Sequence, residues 1–373
     1  MTGQTKTAVH SPAQEENARW AAFAKEQSVL AALGVFAQML IGMSLYLYAN
    51  VGTPGYLSIL LTAPYAFALL ASAKALAKRG IARAALAGER KTAARVLCLL
   101  FAVLIWADAL LLLISLCAMF REFMPRECLA GLMAAVAITA ADGVRTGKRG
   151  LPHLARFLVW VIFALLFFCA ASAYPHGRID HVFPLLGHGA KSVFLGGAWM
   201  CGCVCGCVWP LLMADESPAV SQLTGRRSPL CRTLWAALIC AVLLHLTADW
   251  LMPMEAMQRP ETLGWRVLLL ANMTPSIPAW SMLIAGLTLL FLLALQDCAL
   301  RFVRAFSRFA GTEKGGFWIS LFLLLPMIPI AIRLDLAWLD AVTRLSAWRA
   351  VLTPVLLVLT LLLGRKSKRE GSK

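Results

Sequence analysis

Apolar and polar positions alternate along the chain in long blocks. Apolar runs of about 20 residues recur from residue 28 to residue 364, with short polar connections between them. At a rise of about 1.5 Å per residue, a helix of that length crosses the roughly 30 Å hydrocarbon core of a bilayer. The pattern predicts ten transmembrane helices, at residues 28–49, 55–77, 96–119, 128–143, 153–173, 192–213, 233–252, 277–299, 317–333 and 349–364.

The composition supports a membrane location for almost the whole chain. Of its 373 residues, 60% are hydrophobic and only 14% are charged, whereas about a quarter of a soluble protein is charged. We therefore expect an all-α membrane protein with a polytopic transmembrane domain over residues 28–364. A polar amino-terminal tail over residues 1–27 and a basic carboxy-terminal tail over residues 365–373 complete the predicted organisation.

The net charge of +16 comes mostly from Lys and Arg in the connections between apolar runs. Counted through ten crossings, most of these basic residues fall on one side of the membrane, which the positive-inside rule assigns to the cytoplasm. Both termini are therefore predicted to be cytoplasmic, and nucleic-acid binding is not indicated. The 11 Cys lie mainly inside apolar runs, which is typical of buried small side chains and not of a disulfide framework.

No motif of a soluble-type enzyme is present, and the six His are dispersed. We predict no catalytic residue and no cofactor, although a polytopic membrane enzyme stays an open alternative. The informative positions are instead polar or helix-breaking residues at membrane depth.

The sixth predicted helix is rich in glycine. Between Gly196 and Pro210 it contains four Gly, among them the candidate ligand-binding residues Gly197 and Gly202. Gly and Pro tolerate departures from helical geometry, which a membrane protein allows only where the freed backbone groups find partners. The segment is either a broken helix at a binding site or a small-residue packing surface.

Alternating cysteines in the same helix raise the question of a metal site. Side chains two residues apart on a helix point about 200° away from each other, so four thiolates cannot converge. We predict no metal at the sequence positions that carry them, which are Cys201, Cys203, Cys205 and Cys207.

The first helix carries Gly42 near its middle. In many transporters the first helices of two inverted five-helix repeats are discontinuous, and here those are helices one and six. The free amide groups of a broken helix favour an anion such as an amino-acid carboxylate. The sequence thus predicts backbone contacts to a ligand from Gly42, Gly197 and Gly202.

Asp108 lies in the middle of the third apolar run, two residues after Trp106. A carboxylate within the membrane is costly and suggests a role toward a ligand ammonium or a proton. A hydrogen-bonded structural Asp is the alternative. We take Asp108 as the polar group and Trp106 as a wall of a site between helices one, three, six and eight, and expect His245 and Asp249 to be structural.

Several short motifs follow one another over residues 26–213. Glu26-Gln27 precedes the first helix, Ile41-Gly42 lies within it, and Gly52-x-x-Gly55-Tyr56-Leu57-Ser58 leads into the second. Gly150-Leu151-Pro152-His153-Leu154-Ala155-Arg156 opens the fifth helix, Asp180 to Gly189 forms a polar loop, and Trp209-Pro210 closes the sixth. In this order the motifs resemble those of the spore-germination permease family, the B subunits of nutrient germinant receptors in the amino acid, polyamine and organocation transporter superfamily.

The resemblance implies a LeuT-like fold of ten helices in a 5+5 inverted repeat, located in the inner membrane of a bacterial spore. It also implies a small nutrient ligand, often an amino acid, and partnership with a larger A-type subunit and a lipoprotein C-type subunit. Two hypotheses follow: a receptor subunit that binds a nutrient and signals to its partners, or a proton-coupled amino-acid secondary transporter with Asp108 as the proton site.

Overall fold

The computed structural model describes residues 12–87, 91–121, 125–145, 147–183, 187–212, 217–225, 228–251, 277–310, 315–333 and 336–370. Within these ranges every regular element is a helix. Of the predicted segments, residues 1–11 of the amino-terminal tail, 371–373 of the carboxy-terminal tail and 184–186 of the motif in the polar loop lie outside them.

In the described ranges, ten long helical segments follow the predicted order, and some of them are built from more than one piece. Two short helices, Ile81–Ala87 and Ser217–Thr224, lie in the connections after helices two and six. Helix one combines Pro12–Gly42, the π-helical turn Met43–Leu47 and a last turn Tyr48–Asn50. Helix six combines Ala190–Met200, the 3₁₀ segment Cys201–Val208 and Trp209–Leu212, and helix nine combines Gly316–Leu324 and Met327–Arg333. The seven continuous helices are two (Gly55–Lys78), three (Lys91–Arg121), four (Arg126–Arg145), five (Gly147–Ala173), seven (Pro229–Leu251), eight (Ile277–Ala310) and ten (Leu336–Glu370).

Within the described ranges, nine helices are long and apolar enough to cross a membrane, and they correspond to helices two to ten. Their outer surfaces expose large apolar side chains such as Trp160, Phe322 and Phe157. Such surfaces are costly in water and normal in lipid. The chain is therefore a multi-pass integral membrane protein.

Several helices extend beyond the predicted apolar runs. Helix one begins at Pro12 instead of residue 28, and helix ten begins at Leu336 instead of residue 349. The added turns contain five charged residues in helix one and two in helix ten, and Glu, Lys, Arg and Ala are good helix formers even where hydropathy is low. Residues 12–27 of the predicted amino-terminal tail are consequently helical.

Helix packing follows the two-fold symmetry of an inverted repeat. Helix one packs on helices five and seven, and helix six packs on helices ten and two. Adding five to each helix number, and subtracting ten where the sum exceeds ten, converts the first set into the second. Helix three packs on helix eight, and helix four on helix nine, which this operation maps onto themselves. The contacts thus define the predicted 5+5 repeat.

The α-helical pattern of helices one and six is interrupted at matching positions, as predicted. Helix one changes to a π turn after Gly42, and helix six changes to a 3₁₀ segment after Met200. Both pieces stay helical and are not unwound, so the structure does not show at these positions the free amide groups that a broken helix would offer to a ligand. A helical backbone keeps most of its N–H and C=O groups hydrogen-bonded, which matters in lipid because released groups must find partners within the protein.

Candidate ligand-binding site

One face of helix one organises the centre of the molecule. Gly34, Gln38, Gly42 and Tyr46 follow one another at intervals of four residues, which places them close to one side of a helix. We call these four residues the helix-one stripe. Each of them lies next to different residues of helices three, six, eight or ten. The side of the molecule on which helix one begins is called the amino-terminal face.

Asp108 of helix three and Arg349 of helix ten form a buried ion pair beside the stripe. Only 4% of Asp108 and 1% of Arg349 are exposed. A charge is costly at this depth, and pairing offsets part of that cost. The pair therefore ties the third helix of the first repeat to the last helix of the second.

Gln38 completes this pair. Arg349 Nη1 donates a hydrogen bond to Gln38 Oε1 over 3.2 Å. Gln38 Nε2 in turn donates to the backbone carbonyl of Asp108, also over 3.2 Å. One amide thus contacts both partners, and we call Gln38, Asp108 and Arg349 the central triad.

Helices two and six meet the same turn of helix ten. Cys205 Sγ lies 3.5 Å from the backbone carbonyl of Arg349 as a weak donor. Tyr65 Oη donates to the carbonyl of Ala350 over 2.5 Å. Helix ten is therefore held at the depth of the triad by its neighbours on both sides.

Gly42 brings helices one and six into direct contact. A Cβ added at Gly42 would lie 2.5 Å from Met200 Sδ and 2.9 Å from Cys203 Sγ, closer than side chains approach. Gly42 is the last residue before the π turn, and Met200 is the last before the 3₁₀ segment. The two interruptions thus meet at the point of closest approach.

An aromatic pair lies one turn further along helix one. Tyr46 of the π turn stacks on Trp199 of helix six with ring centroids 4.5 Å apart and planes 7° apart. This pair is a further contact between helices one and six, next to the contact of Gly42 with Met200.

A second charged pair lies on the amino-terminal side of the triad. Arg301 Nε donates to Asp297 Oδ1 over 2.8 Å within helix eight, and Arg301 Nη1 donates to the Gly206 carbonyl over 3.2 Å. Pro210 has no N–H to offer that carbonyl, which otherwise accepts from Trp209 N–H. Arg301 therefore supports the backbone of helix six where proline weakens it.

The remaining predicted site residues have different surroundings. Gly197 packs against helix two, where an added Cβ would lie 2.9 Å from Leu61 Cβ, and it does not meet Gly42. Gly202 is buried within the 3₁₀ segment, next to Cys203. Trp106 is half-buried against the core and lies about 200° around helix three from Asp108. The structure thus brings Asp108 to the stripe that contains Gly42, and places Gly197 and Trp106 elsewhere.

His245 and Asp249 lie outside this centre. Both side chains are fully buried in helix seven, with His245 Nδ1 and Asp249 Oδ1 4.0 Å apart. Tyr48 packs edge-on against the imidazole, and Gly55 approaches so closely that an added Cβ would stand 1.9 Å from Nε2. The imidazole fills the space where helices one, two and seven meet.

Two of the motif segments come together at the amino-terminal face. Glu26 Oε1 of helix one lies 3.1 Å from His153 Nδ1 and 3.4 Å from Arg156 Nη1 of helix five. The start of helix five is thereby fixed to the amino-terminal half of helix one.

The donor set at the centre is unlike that of a hard-metal site. In the part of the chain that the structure describes, no group of three or more His, Cys, Asp or Glu side chains is placed to hold a metal ion. The cysteine side chains described are free thiols. The central triad has one carboxylate, and that carboxylate faces an arginine.

Comparisons with known proteins define the fold. No protein-family profile and no curated protein sequence matches the chain. Among solved structures, the Eremococcus coleocola manganese transporter bound to an aromatic bis-isothiourea substituted compound is similar, with a TM-score of 0.54 and 15% identity, over 96% of this chain and 88% of that one. A point mutant of the same transporter gives a TM-score of 0.55 and 14% identity over the same shares. At this identity the likeness establishes a LeuT-like transporter fold and not a cargo.

Sequence reasoning missed Arg349, which is the charged partner of Asp108. The predicted tenth helix begins at residue 349, which places the arginine at its first position and not at membrane depth. Helix ten begins at Leu336 and places Arg349 well inside the helix. Apolar residues recur at helical intervals before Trp348, and this pattern indicates an earlier start of the helix. They are Leu336, Leu339, Val342 and Leu345.

Proposed function

We propose that the chain is the membrane subunit of a spore nutrient germinant receptor, which binds a small nutrient such as an amino acid and signals to A-type and C-type partner subunits. The observation that carries this proposal is the central triad, beside the point where the interrupted helices meet. Support for the family comes from the motif resemblance over residues 26–213 and from the transporter fold.

The charges of the triad are complementary to those of an amino acid. Arg349 offers a planar guanidinium suited to a carboxylate, and Asp108 offers a carboxylate suited to an ammonium group. A zwitterion inserted between them replaces one ion pair by two, so no charge is left buried and unpaired. The ligand binds where the two repeats are already joined.

Helices one and six supply the movement that such binding requires. Gly42 and Met200 are in contact, so a ligand enters only when the two helices separate. The 3₁₀ segment Cys201–Val208 has eight residues, whereas runs longer than three or four are uncommon and often mark a hinge. A ligand that binds the separated state more tightly shifts the population toward it, and partner subunits sense that shift.

A divalent cation suits this centre less well. Mn²⁺ prefers carboxylate, carbonyl and water ligands, whereas the central triad offers one carboxylate, which is paired with Arg349. A second positive charge at that point is repelled by the guanidinium. The fold that the chain shares with the manganese transporter therefore does not imply that this chain carries a metal ion.

The second candidate is a proton-coupled amino-acid transporter, which the intramembrane Asp108 favours. Proteoliposomes that contain this chain alone distinguish the two candidates. Uptake of a radiolabelled amino acid driven by a pH gradient, lost in Asp108→Asn, establishes the transporter. Ligand-dependent stabilisation without uptake supports the receptor.

The binding test uses thermal unfolding of the purified protein with each of the proteinogenic amino acids in turn. We expect at least one to raise the midpoint for the wild type and none to do so for the double variant Asp108→Asn/Arg349→Gln, which removes both charges together. Glu26→Gln/Arg156→Gln is the matched control, because it removes an ion pair remote from the centre. A shift that persists in the triad variant contradicts the site.

A further inference from the structure

Helix ten touches helix two inside the membrane and the short helix Ile81–Ala87 near the amino-terminal face, and a space lies between these two contacts. Inside the membrane helices two and ten meet where Tyr65 Oη donates to the Ala350 carbonyl over 2.5 Å. Near the amino-terminal face, Gly364 packs on the first residue of the helix Ile81–Ala87, where an added Cβ would lie 2.3 Å from the Ile81 carbonyl oxygen. Between these contacts lies a groove of ≈ 460 Å³.

Small side chains on helix two leave this space open. Ala68, Ser72 and Ala75 line the groove at intervals of three or four residues, which is one face of a helix. Pro354 and Val358 of helix ten form the facing wall. The groove between the two helices is therefore lined mainly by small and apolar side chains.

The polar atoms inside the groove already have partners. Tyr65 Oη is bonded to helix ten, and Ser72 Oγ donates to the carbonyl of Ala68 over 2.9 Å. The interior consequently offers a hydrocarbon chain a surface that needs no hydrogen bond from it. This disfavours a polar solute and favours an acyl chain.

The charge of the groove is concentrated at one end. Arg79 and Arg365, both exposed, line it at the amino-terminal face, and none of the described residues that line it is acidic. From Tyr65 to Arg79 a helix spans about 21 Å, which exceeds the roughly 15 Å of one hydrocarbon leaflet. An acyl chain that fills the groove therefore has its phosphate at the level of the two arginines.

We propose that this groove is a binding site for one anionic phospholipid, with an acyl chain between helices two and ten and the headgroup phosphate between Arg79 and Arg365. Basic pockets between transmembrane helices favour anionic headgroups through this combination of charge and depth. The proposal is independent of the nutrient site, since neither arginine contributes to the central triad.

The test is native mass spectrometry of the full chain released from mixed micelles with equal amounts of phosphatidylglycerol and phosphatidylcholine of identical acyl chains. We expect the wild type to retain phosphatidylglycerol on the order of tenfold more than phosphatidylcholine. Arg79→Gln/Arg365→Gln is expected to lose this preference. Lys78→Gln/Arg95→Gln, which removes two basic residues of the same face outside the groove, is expected to keep it.

A second variant separates the groove from simple attraction to surface charge. Ser72→Trp fills the groove without a change in charge and should also lose the retained lipid. Equal retention of both lipids by the wild type overturns the proposal, as does retention by Ser72→Trp or by the double arginine variant at the level of the control. Displacement of the lipid by millimolar inorganic phosphate also overturns it, because the site then binds a free anion.

Discussion

Asp108 and Arg349 stand at corresponding depths in helices three and ten, form a buried ion pair, and are bridged by the side chain of Gln38. These three residues come from three helices and from both repeats. The centre of the fold is therefore held by polar contacts at the proposed ligand site. Substitutions of these residues should lower the stability of the protein by different amounts.

Removal of one charge of the pair should be worse than removal of both. Arg349→Gln leaves Asp108 buried without its partner, which costs about 3–5 kcal/mol. Asp108→Asn/Arg349→Gln leaves no unpaired charge and should recover most of that loss. Unfolding in mixed micelles titrated with a denaturing detergent measures both variants. Equal destabilisation of the two would show that the pairing contributes little.

The close contact at Gly42 predicts a size limit at that position. Gly42→Leu forces side-chain atoms into Met200 and Cys203 and should destabilise the protein by about 1–3 kcal/mol. Gly34→Ala is the control on the same face, because its Cβ would lie 4.0 Å from Asp297 Oδ2, an ordinary contact. Similar stability of the two variants in the same denaturing titration would contradict direct packing of helix one on helix six.

The imidazole of His245 predicts a coupled effect with Gly55. Gly55→Ala alone brings a methyl group into the ring and should destabilise by about 1–3 kcal/mol. In the background of His245→Ala the same change should cost much less, since the ring is absent. A double-mutant cycle measures this coupling, which should exceed about 0.5 kcal/mol. An additive result would place the ring away from helix two.

The ion pair at the amino-terminal face should matter little for stability. The side chain of Glu26 is 10% exposed and that of Arg156 is 57% exposed, so solvent screens their attraction. Arg156→Gln is expected to change the free energy of unfolding by less than about 1 kcal/mol. A loss of stability as large as that of Arg349→Gln would contradict the expectation that the more deeply buried ion pair contributes more to stability.

The sequence predicted the order of the ten long helices because each run of apolar residues carries its own signal, and it did not predict the short helices Ile81–Ala87 and Ser217–Thr224. Asp108 was found for the same reason, since a carboxylate interrupts an otherwise apolar run. Arg349 is not predicted as its partner, because it stands at the start of the last apolar run. Hydropathy also does not tell which residues of other helices lie at the same depth.

The glycines show the same limit. Gly42 and Gly197 look alike in sequence, yet one contacts helix six and the other contacts helix two. Which face of a helix meets which neighbour depends on the packing of the whole bundle. The pattern predicted that helices one and six would be interrupted, but the choice of a π turn and a 3₁₀ segment depends on contacts that arise only in the assembled fold.

The most direct test of the central claim compares three forms of the amino acid that stabilises the protein most in thermal unfolding. These are the free amino acid, its methyl ester, which lacks the carboxylate, and its N-acetyl derivative, which lacks the ammonium group. Isothermal titration of the wild-type chain should show both derivatives at least about tenfold weaker, because each leaves one member of the Asp108–Arg349 pair without a charged partner. Equal affinity for all three would contradict recognition of a zwitterion by this pair.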